Sequence, residues 1–488
     1  MSRLFIPLYF ALTFSNNANC QDYFFKTWSS EFTATGQQIN EYNGKYFLSS
    51  AKACDNIKEC AFLSEIDILG NEIWRKNLDF LDITHRTTFI EDDTIYISGN
   101  EYFSEQKFIL HKMTTDGDSV ATFDVLSSDV PYTDMFLLAV KKFNNDIVLG
   151  GRGIYQDTMH TLMFVINENG SVDSVINPTS HTSSSKIWDI TIDNENNLVV
   201  FFELKNRFQE QVRKIIRFDE NYNETWSYTS DSLLFNRSVT KGCVLEDNKI
   251  AYVNQHPNRH FDSVHAINPD STISWIYDWP DVNYLEIKIH RLETLNNGDI
   301  LGMGRTTNFE NDPIIEGAPY IFRMSPDGEL LWEKIFVEID PEDGESKGGA
   351  IWDVEELENG DLLGTGYLRN ESWDVLLFKT DDNGCINEDD CDKVSIITTT
   401  EELSDDYQSI KLFPQPAVDN QVTLQVDQYI FSKELIIQCH DLQGRKLAIT
   451  IEQFNEQEYV ISNLPKGVLL LELVDQEGKR IVEKIINL

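Results

Sequence analysis

The sequence predicts an all-β protein: a seven-bladed β-propeller closed by an N-terminal strand, followed by a small C-terminal β-sandwich. Two observations carry the propeller and a third carries the sandwich. A turn-then-strand step recurs at Tyr46, Ile95, Ile147, Leu198, Ile250, Ile300 and Leu362, with successive gaps of 49, 52, 51, 52, 50 and 62 residues. Each step holds short alternating or β-branched runs split by Gly, Asn and Asp turns, which is strand chemistry. From residue 410 the composition shifts to short strands with turns at Gln443-Gly444, Pro465-Lys466-Gly467 and Gln476-Glu477-Gly478.

The repeat is clearest in Asn297-Gly298-Asp299-Ile300-Leu301-Gly302-Met303-Gly304, then Tyr320 to Met324, then Asp327-Gly328-Glu329-Leu330-Leu331-Trp332. Four antiparallel strands in about 50 residues, repeated radially, describe propeller blades. The third strand ends at a tight turn carrying Gly70, Gly117, Gly170, Gly328 or Gly384. Trp74, Trp226, Trp275 and Trp332 stand at one fixed place in the fourth strand, which reads as packing between blades rather than as a cofactor site. The last repeat stops at Gly384-Cys385 without such a strand, whereas the chain begins with one, Lys26-Thr27-Trp28 to Phe32. That segment is expected to pair with the strand around Leu376-Leu377-Phe378. The pairing joins the ends of the ring and removes an exposed edge.

Charge narrows the function. Asp and Glu number 81 against 40 Lys and Arg, a formal charge of −41. Such a chain repels nucleic-acid phosphates and anionic lipid, so neither is an expected partner. Residues 1–20 read as a signal peptide. Arg3 precedes the apolar run Leu4 to Phe14, and small residues at Ala18 and Cys20 set cleavage before Gln21. The run is shorter than the roughly 20 residues a membrane helix needs, and no other stretch is long and apolar enough. Cys54 and Cys60, and Cys385 and Cys391, bracket short polar loops and read as local disulfides of an oxidising compartment. Cys243 and Cys439 lie in apolar runs and read as buried thiols.

Two resemblances follow. The repeat is similar to propeller repeats of secreted Bacteroidota proteins over residues 22–385. The C-terminal segment resembles the type IX secretion C-terminal sorting domain. The likeness rests on Leu412-Phe413-Pro414-Gln415-Pro416-Ala417, His440-Asp441-Leu442-Gln443-Gly444-Arg445, Ile461-Ser462-Asn463-Leu464-Pro465-Lys466-Gly467, and Gly478-Lys479 before a final strand. Gln415 and Leu469 depart from the usual Asn and Tyr. The resemblance makes Pro414, Pro416, Asp441, Gly444, Leu464, Gly467 and Gly478 the sorting motif and the type IX machinery a partner. It implies transport through the outer membrane, removal of the domain, and release or surface attachment. The expected organisation is a signal peptide at 1–20, a propeller at 22–385, a linker at 386–409 and a sorting domain at 410–488.

Chemistry-bearing motifs are few. The sequence holds no nucleophile elbow, zinc-binding His pair, phosphate loop or Cys-x-x-Cys, so no cofactor is expected. One constellation lies ten residues before each repeat marker, at the start of the innermost strand. There stand His85, Trp188, His290 and Trp352, each followed by a charged residue: Arg86, Asp189, Arg291 and Asp353. Equivalent positions converge near one mouth of a propeller channel, where aromatic rings with charged neighbours suit a glycan or protein ligand. The alternative role is packing and ion pairing between blades. The expected function is an exported binding or adhesion protein without catalysis. The competing reading is a secreted polysaccharide lyase or hydrolase using His85, His290, Asp189 and Asp353 as acid and base groups.

Overall fold

The computed structural model describes residues 23–28, 34–55, 58–78, 81–82, 88–101, 108–125, 133–155, 158–167, 170–177, 186–205, 211–230, 241–255, 261–279, 284–308, 317–339, 346–369, 373–386, 391, 394–397, 410–418, 420–426, 436–441, 445–453, 458–474 and 480–487. These residues contain strands and turns and no helix. The chain divides into two units, Met1–Thr399 and Thr400–Leu488.

The first unit opens with β1 (Phe24–Trp28) and continues as successive antiparallel sheets. The first sheet is β2 (Ala34–Tyr42), β3 (Lys45–Asp55), β4 (Lys58–Ile66) and β5 (Glu72–Leu78). In the second, β6 (Leu81–Asp82) and β7 (Thr88–Glu91) share the first position beside β8 (Thr94–Glu101), followed by β9 (Phe108–Thr114) and β10 (Ser119–Asp124). The third is β11 (Thr133–Phe143), β12 (Asp146–Tyr155), β13 (Thr158–Ile166) and β14 (Val172–Ile176). The fourth is β15 (Lys186–Ile192), β16 (Leu198–Lys205), β17 (Gln211–Phe218) and β18 (Glu224–Thr229). The fifth is β19 (Gly242–Val244), β20 (Ile250–Gln255), β21 (Asp262–Ile267) and β22 (Ile273–Tyr277). Next come β23 (Tyr284–Thr294), β24 (Ile300–Asn308), β25 (Ala318–Met324) and β26 (Leu330–Ile339). The last repeat contributes β27 (Ser346–Glu356), β28 (Leu362–Arg369) and β29 (Trp373–Thr380), with β1 as its fourth strand. Pairing of Glu338–Ile339 with Ser346–Lys347 joins these final two groups into one larger sheet.

Packing between sheets is cyclic. The first strand of each sheet touches the first strand of the next, and β27 of the last touches β2 of the first. Buried clusters bridge consecutive sheets in the same order. One holds Phe47, Leu63, Ile95 and Met113 of the first two sheets, and another holds Val199, Phe201, Ile250 and Tyr252 of the fourth and fifth. Ile39 and Ile66 of the first sheet then share a cluster with Leu363 and Leu377 of the last.

The repeated Trp and Gly form one contact. A β-carbon on Gly117 would meet the Trp74 ring of the preceding sheet at 3.3 Å, and one on Gly328 would meet Trp275 at 2.6 Å. Both glycines have positive φ, so the turn needs glycine for conformation and the ring needs it for space.

The expected N-terminal pairing is present, with Thr27, Lys26 and Phe25 opposite Leu376, Leu377 and Phe378. Its register corrects the sequence reading. Phe24 sits opposite Lys379 as Trp332 sits opposite Arg323, so Phe24 holds the repeat's aromatic position and packs over Gly70. Trp28, expected there, lies four residues along and packs with Ala34, Leu48, Phe62 and Val375. The position accepts Phe in place of Trp, and Phe24 aligns while Trp28 does not.

The stretch read as a linker contains β30 (Val394–Ile397), which pairs in parallel with β26. The Cys385–Cys391 disulfide precedes it. Cys60 is also disulfide-bonded, while the side chain of Cys54 lies outside the described residues. Cys243 and Cys439 are buried thiols.

The second unit contains β31 (Ile410–Val418), β32 (Gln421–Val426), β33 (Ile436–Asp441), β34 (Thr450–Gln453), β35 (Glu458–Ser462), β36 (Gly467–Val474) and β37 (Arg480–Asn487). The order is β33-β36-β37-β31-β32-β35-β34. Val422, Leu424 and Ile461 from one end share a core with Cys439, Leu471 and Leu473 from the other. Pro414 and Pro416 fall where the ladder between β31 and β32 is interrupted, after Phe413 and before Val418. Proline has no N–H for a ladder, so an interruption is where a strand accepts it. Leu464 is buried, and its N–H donates to the Asn420 carbonyl at 3.2 Å. Asp441 ends β33 and Gly467 begins β36, whereas Gly444 and Gly478 lie outside the described residues.

Candidate functional site

Three first strands carry a β-bulge at the candidate position. The ladder slips between Ile187 and Asp189, between Ile289 and Arg291, and between Ile351 and Asp353. Trp188, His290 and Trp352 are therefore the extra residues, and a bulge re-aims its side chain out of the pleat. In the third sheet the extra residue is Leu138, one beyond the position that counting gives. Its hairpin turns in two residues, Asn144 and Asn145, where the fourth sheet uses five between Ile192 and Leu198.

The structure joins four of the eight candidates. The His290 ring stacks on Trp352 from the neighbouring sheet, with centroids 4.1 Å apart and planes at 17°. Behind them Arg291 forms ion pairs with Asp353 and Glu293. Asp353 also accepts the Ile39 N–H of the first sheet at 2.9 Å. His290, Arg291 and Asp353 are buried at 8%, 7% and 1% exposure, so their polar groups serve the seam between sheets. Only Trp352 of this group is half-buried.

Trp188 and Asp189 belong to the fourth sheet. Trp188 Nε1 donates to Glu203 Oε2 at 2.8 Å, and Lys186 Nζ lies 3.6 Å from the Trp188 ring centroid. Lys186, Glu203 and Arg213 stand in register across β15, β16 and β17, a row of alternating charge. Burial lowers the Lys186 pKa below that of an ordinary lysine. Glu203 opposes this, and Arg152 and Arg213 add to it. Burial also pushes Arg213 down to about 10, against the pull of Glu203 and Asp262. Asp189 is fully buried and accepts the Ile190 N–H at 3.0 Å. His85 and Arg86 lie outside the described residues.

Two residues absent from the sequence reading extend the Trp352 group. Tyr367 lies 6.2 Å from Trp352, and Trp373 stacks on Tyr367 at 4.7 Å with planes at 12°. Tyr367 pairs with Val375, so Trp373 is its diagonal neighbour on the same face. The result is a run of four rings from the seam to Trp373, which is 41% exposed beside exposed Arg369. The hairpin register of β28 and β29 was the available signal.

A cavity of about 360 Å³ lies toward the other ends of the first strands. Thr191, Cys243, Glu293, Asn296, Glu355 and Glu356 are among its lining, and none of the eight candidates is. Glu356 accepts the Asn296 N–H at 2.6 Å. Among the described residues, no group of acidic, His or Cys side chains is placed to hold a metal ion, and no helix is long and apolar enough to cross a membrane.

No curated protein matches the chain. Among solved structures it is similar to the extracellular domain of a hybrid two-component system from B. thetaiotaomicron, at 12% identity and TM-score 0.42 over 95% of this chain. The chain spans 57% of that protein's length. It is also similar to the β-propeller domain of the Trilobed protease from Pyrococcus furiosus, at 10% identity and TM-score 0.42, covering 71% of this chain and 97% of that one. A Trypanosoma rangeli sialidase follows at 10% and 0.41, covering 64% and 56%. None of these likenesses bears on activity. The C-terminal unit is decided by sequence: residues 411–487 match the family described as the secretion system C-terminal sorting domain, a type IX tail that marks the protein for secretion and the cell surface and is itself removed.

Proposed function

We propose that the exported part is a binding protein built as a seven-bladed propeller. In this reading a signal peptide occupies 1–20, the propeller begins at 22, and the sorting domain at 410–488 is a small β-sandwich. The cyclic contacts of first strands and the cluster joining the first and last sheets support the closed ring. The ligand face surrounds the bulges, with Trp352 and the linked Tyr367 and Trp373 as its apolar platform. His85, Arg86, Trp188, Asp189, His290, Arg291 and Asp353 complete the set of channel-mouth positions.

One observation carries the choice of binding over catalysis. A general acid or base must reach a substrate proton, and Asp353 is buried between Arg291 and the Ile39 N–H. The exposed resource at this end is the flat indole of Trp373, which suits a sugar ring or an apolar side chain. The test is to apply exported protein to an array of polysaccharide fragments and peptides, then assay each bound species for cleavage. Binding without product is expected. Turnover of a bound polysaccharide would favour the lyase or hydrolase reading.

A further inference from the structure

The fourth strands of the repeat sheets share a surface chemistry that β26 breaks. β10, β18 and β22 alternate exposed and half-buried residues along most of their length, and β5 and β14 are mostly exposed. β26 begins in the same way, with Leu331 exposed and Trp332 half-buried. From Lys334 to Glu338 every residue is then buried, at 4% exposure or less. Ile335 and Val337 pack toward the fifth sheet, and Phe336 packs toward the last. A strand with this burial cannot leave a bare backbone edge, because its N–H and C=O groups need partners.

β30 supplies them. Val394, Ser395, Ile396 and Ile397 pair in parallel with Ile335, Phe336, Val337 and Glu338. Among the described residues, no other fourth strand of a repeat sheet gains an added strand in this way. The approach to β30 is fixed as well. The Cys385–Cys391 disulfide ties the chain at the last turn, and Lys334 Nζ donates to the Cys391 carbonyl at 2.5 Å. Removing β30 with the sorting tail would open the edge of a buried, apolar strand, which is an aggregation surface.

We infer that β30 stays with the exported protein and that the cut releasing the sorting tail falls C-terminal to Ile397. In that step a peptidase of the export route hydrolyses one peptide bond with one water. The carboxylate remains on the propeller side and the amine on the tail. Ladder-paired backbone is a poor peptidase substrate, since cleavage requires the strand to open first. β30 therefore both protects the edge and sets the upstream limit of processing.

The primary test is the intact mass and C-terminal peptide of the protein recovered from the medium or cell surface. A final residue beyond Ile397 is expected, and one at or before Ile397 overturns the inference. The second test is a Ser395→Pro, Ile396→Pro double variant of the full chain. Successive strand residues aim their N–H groups to opposite sides, so the pair removes a ladder donor in either register. The exported variant is expected to melt lower and to self-associate in light scattering. An unchanged melting temperature with a monomeric signal overturns the sealing role.

Discussion

Trp188-Asp189 and Trp352-Asp353 are the same dipeptide at the same bulge on two sheets, and they are held in different ways. Trp188 is anchored through its indole N–H to Glu203, with Lys186 over its ring. Trp352 is anchored through its faces, between His290 and the Tyr367–Trp373 pair. Asp353 pairs with Arg291 and grips the first sheet, whereas Asp189 caps the backbone of its own strand. A repeated position fixes where a side chain starts, and the neighbouring sheet decides what it does. The first tryptophan sits in a charged row, and the second begins an aromatic path to solvent.

The comparison can be broken most sharply at the seam. Asp353→Ala leaves buried Arg291 with Glu293 as its one remaining carboxylate and frees the Ile39 N–H, and should cost about 3 kcal/mol in urea denaturation. Asp353→Asn keeps an oxygen for Ile39 and should cost less. Equal losses would show that the Ile39 hydrogen bond contributes nothing beyond the ion pair.

Ring closure gives the next largest effect. Phe24 is half-buried over Gly70 and completes the last sheet. Phe24→Ala should lower stability by about 2 kcal/mol, below the ~3–5 typical of fully buried rings. A melting temperature equal to wild type would mean that β1 does not carry the closure.

Smaller changes separate the two tryptophans. Trp188→Phe removes the donor to Glu203, a buried carboxylate, and should cost about 1–2 kcal/mol. Trp352→Phe keeps a ring against His290 and Tyr367 and should cost under about 1 kcal/mol. The reverse order would overturn the distinction between N–H and face anchoring. Alkaline titration adds a signature of the charged row. The Lys186 pKa is lowered in the folded state, so between that value and the unfolded 10.5 the unfolded chain holds the extra proton. Stability should rise with pH in this window, and Lys186→Met should flatten the rise in chemical denaturation as pH approaches 10.5 from below.

Local chemistry made the repeat legible. Asn-Gly-Asp turns, glycines at positive φ and the spaced tryptophans all report on single hairpins, and they led directly to the sheets and the N-terminal pairing. The remainder depends on register and on distant neighbours. Phe24 replaced Trp28 because the pairing with β29 fixes which aromatic aligns. Val394–Ile397 read as a linker because its partner, Ile335–Glu338, lies far back in the chain and pairs in parallel. Tyr367 and Trp373 passed unnoticed because nothing in one strand says that a diagonal ring will stack. Burial of Arg291 and Asp353 was equally hidden, since charged residues at a channel mouth and at a sheet seam look alike in sequence.

The central claim is that ligand contact lies along the Trp352–Tyr367–Trp373 path rather than at the charged row. The direct measurement pairs array binding with melting temperature for exported wild type, Trp373→Ala and Trp188→Phe. Trp373 is exposed at the end of its strand, so its truncation should leave the melting temperature within about 2–4 °C. It should also lower the array signal of every wild-type hit by roughly tenfold, about 1.4 kcal/mol. Trp188→Phe should melt lower and keep its hits. A Trp373→Ala protein that binds all wild-type hits at full strength would contradict the account.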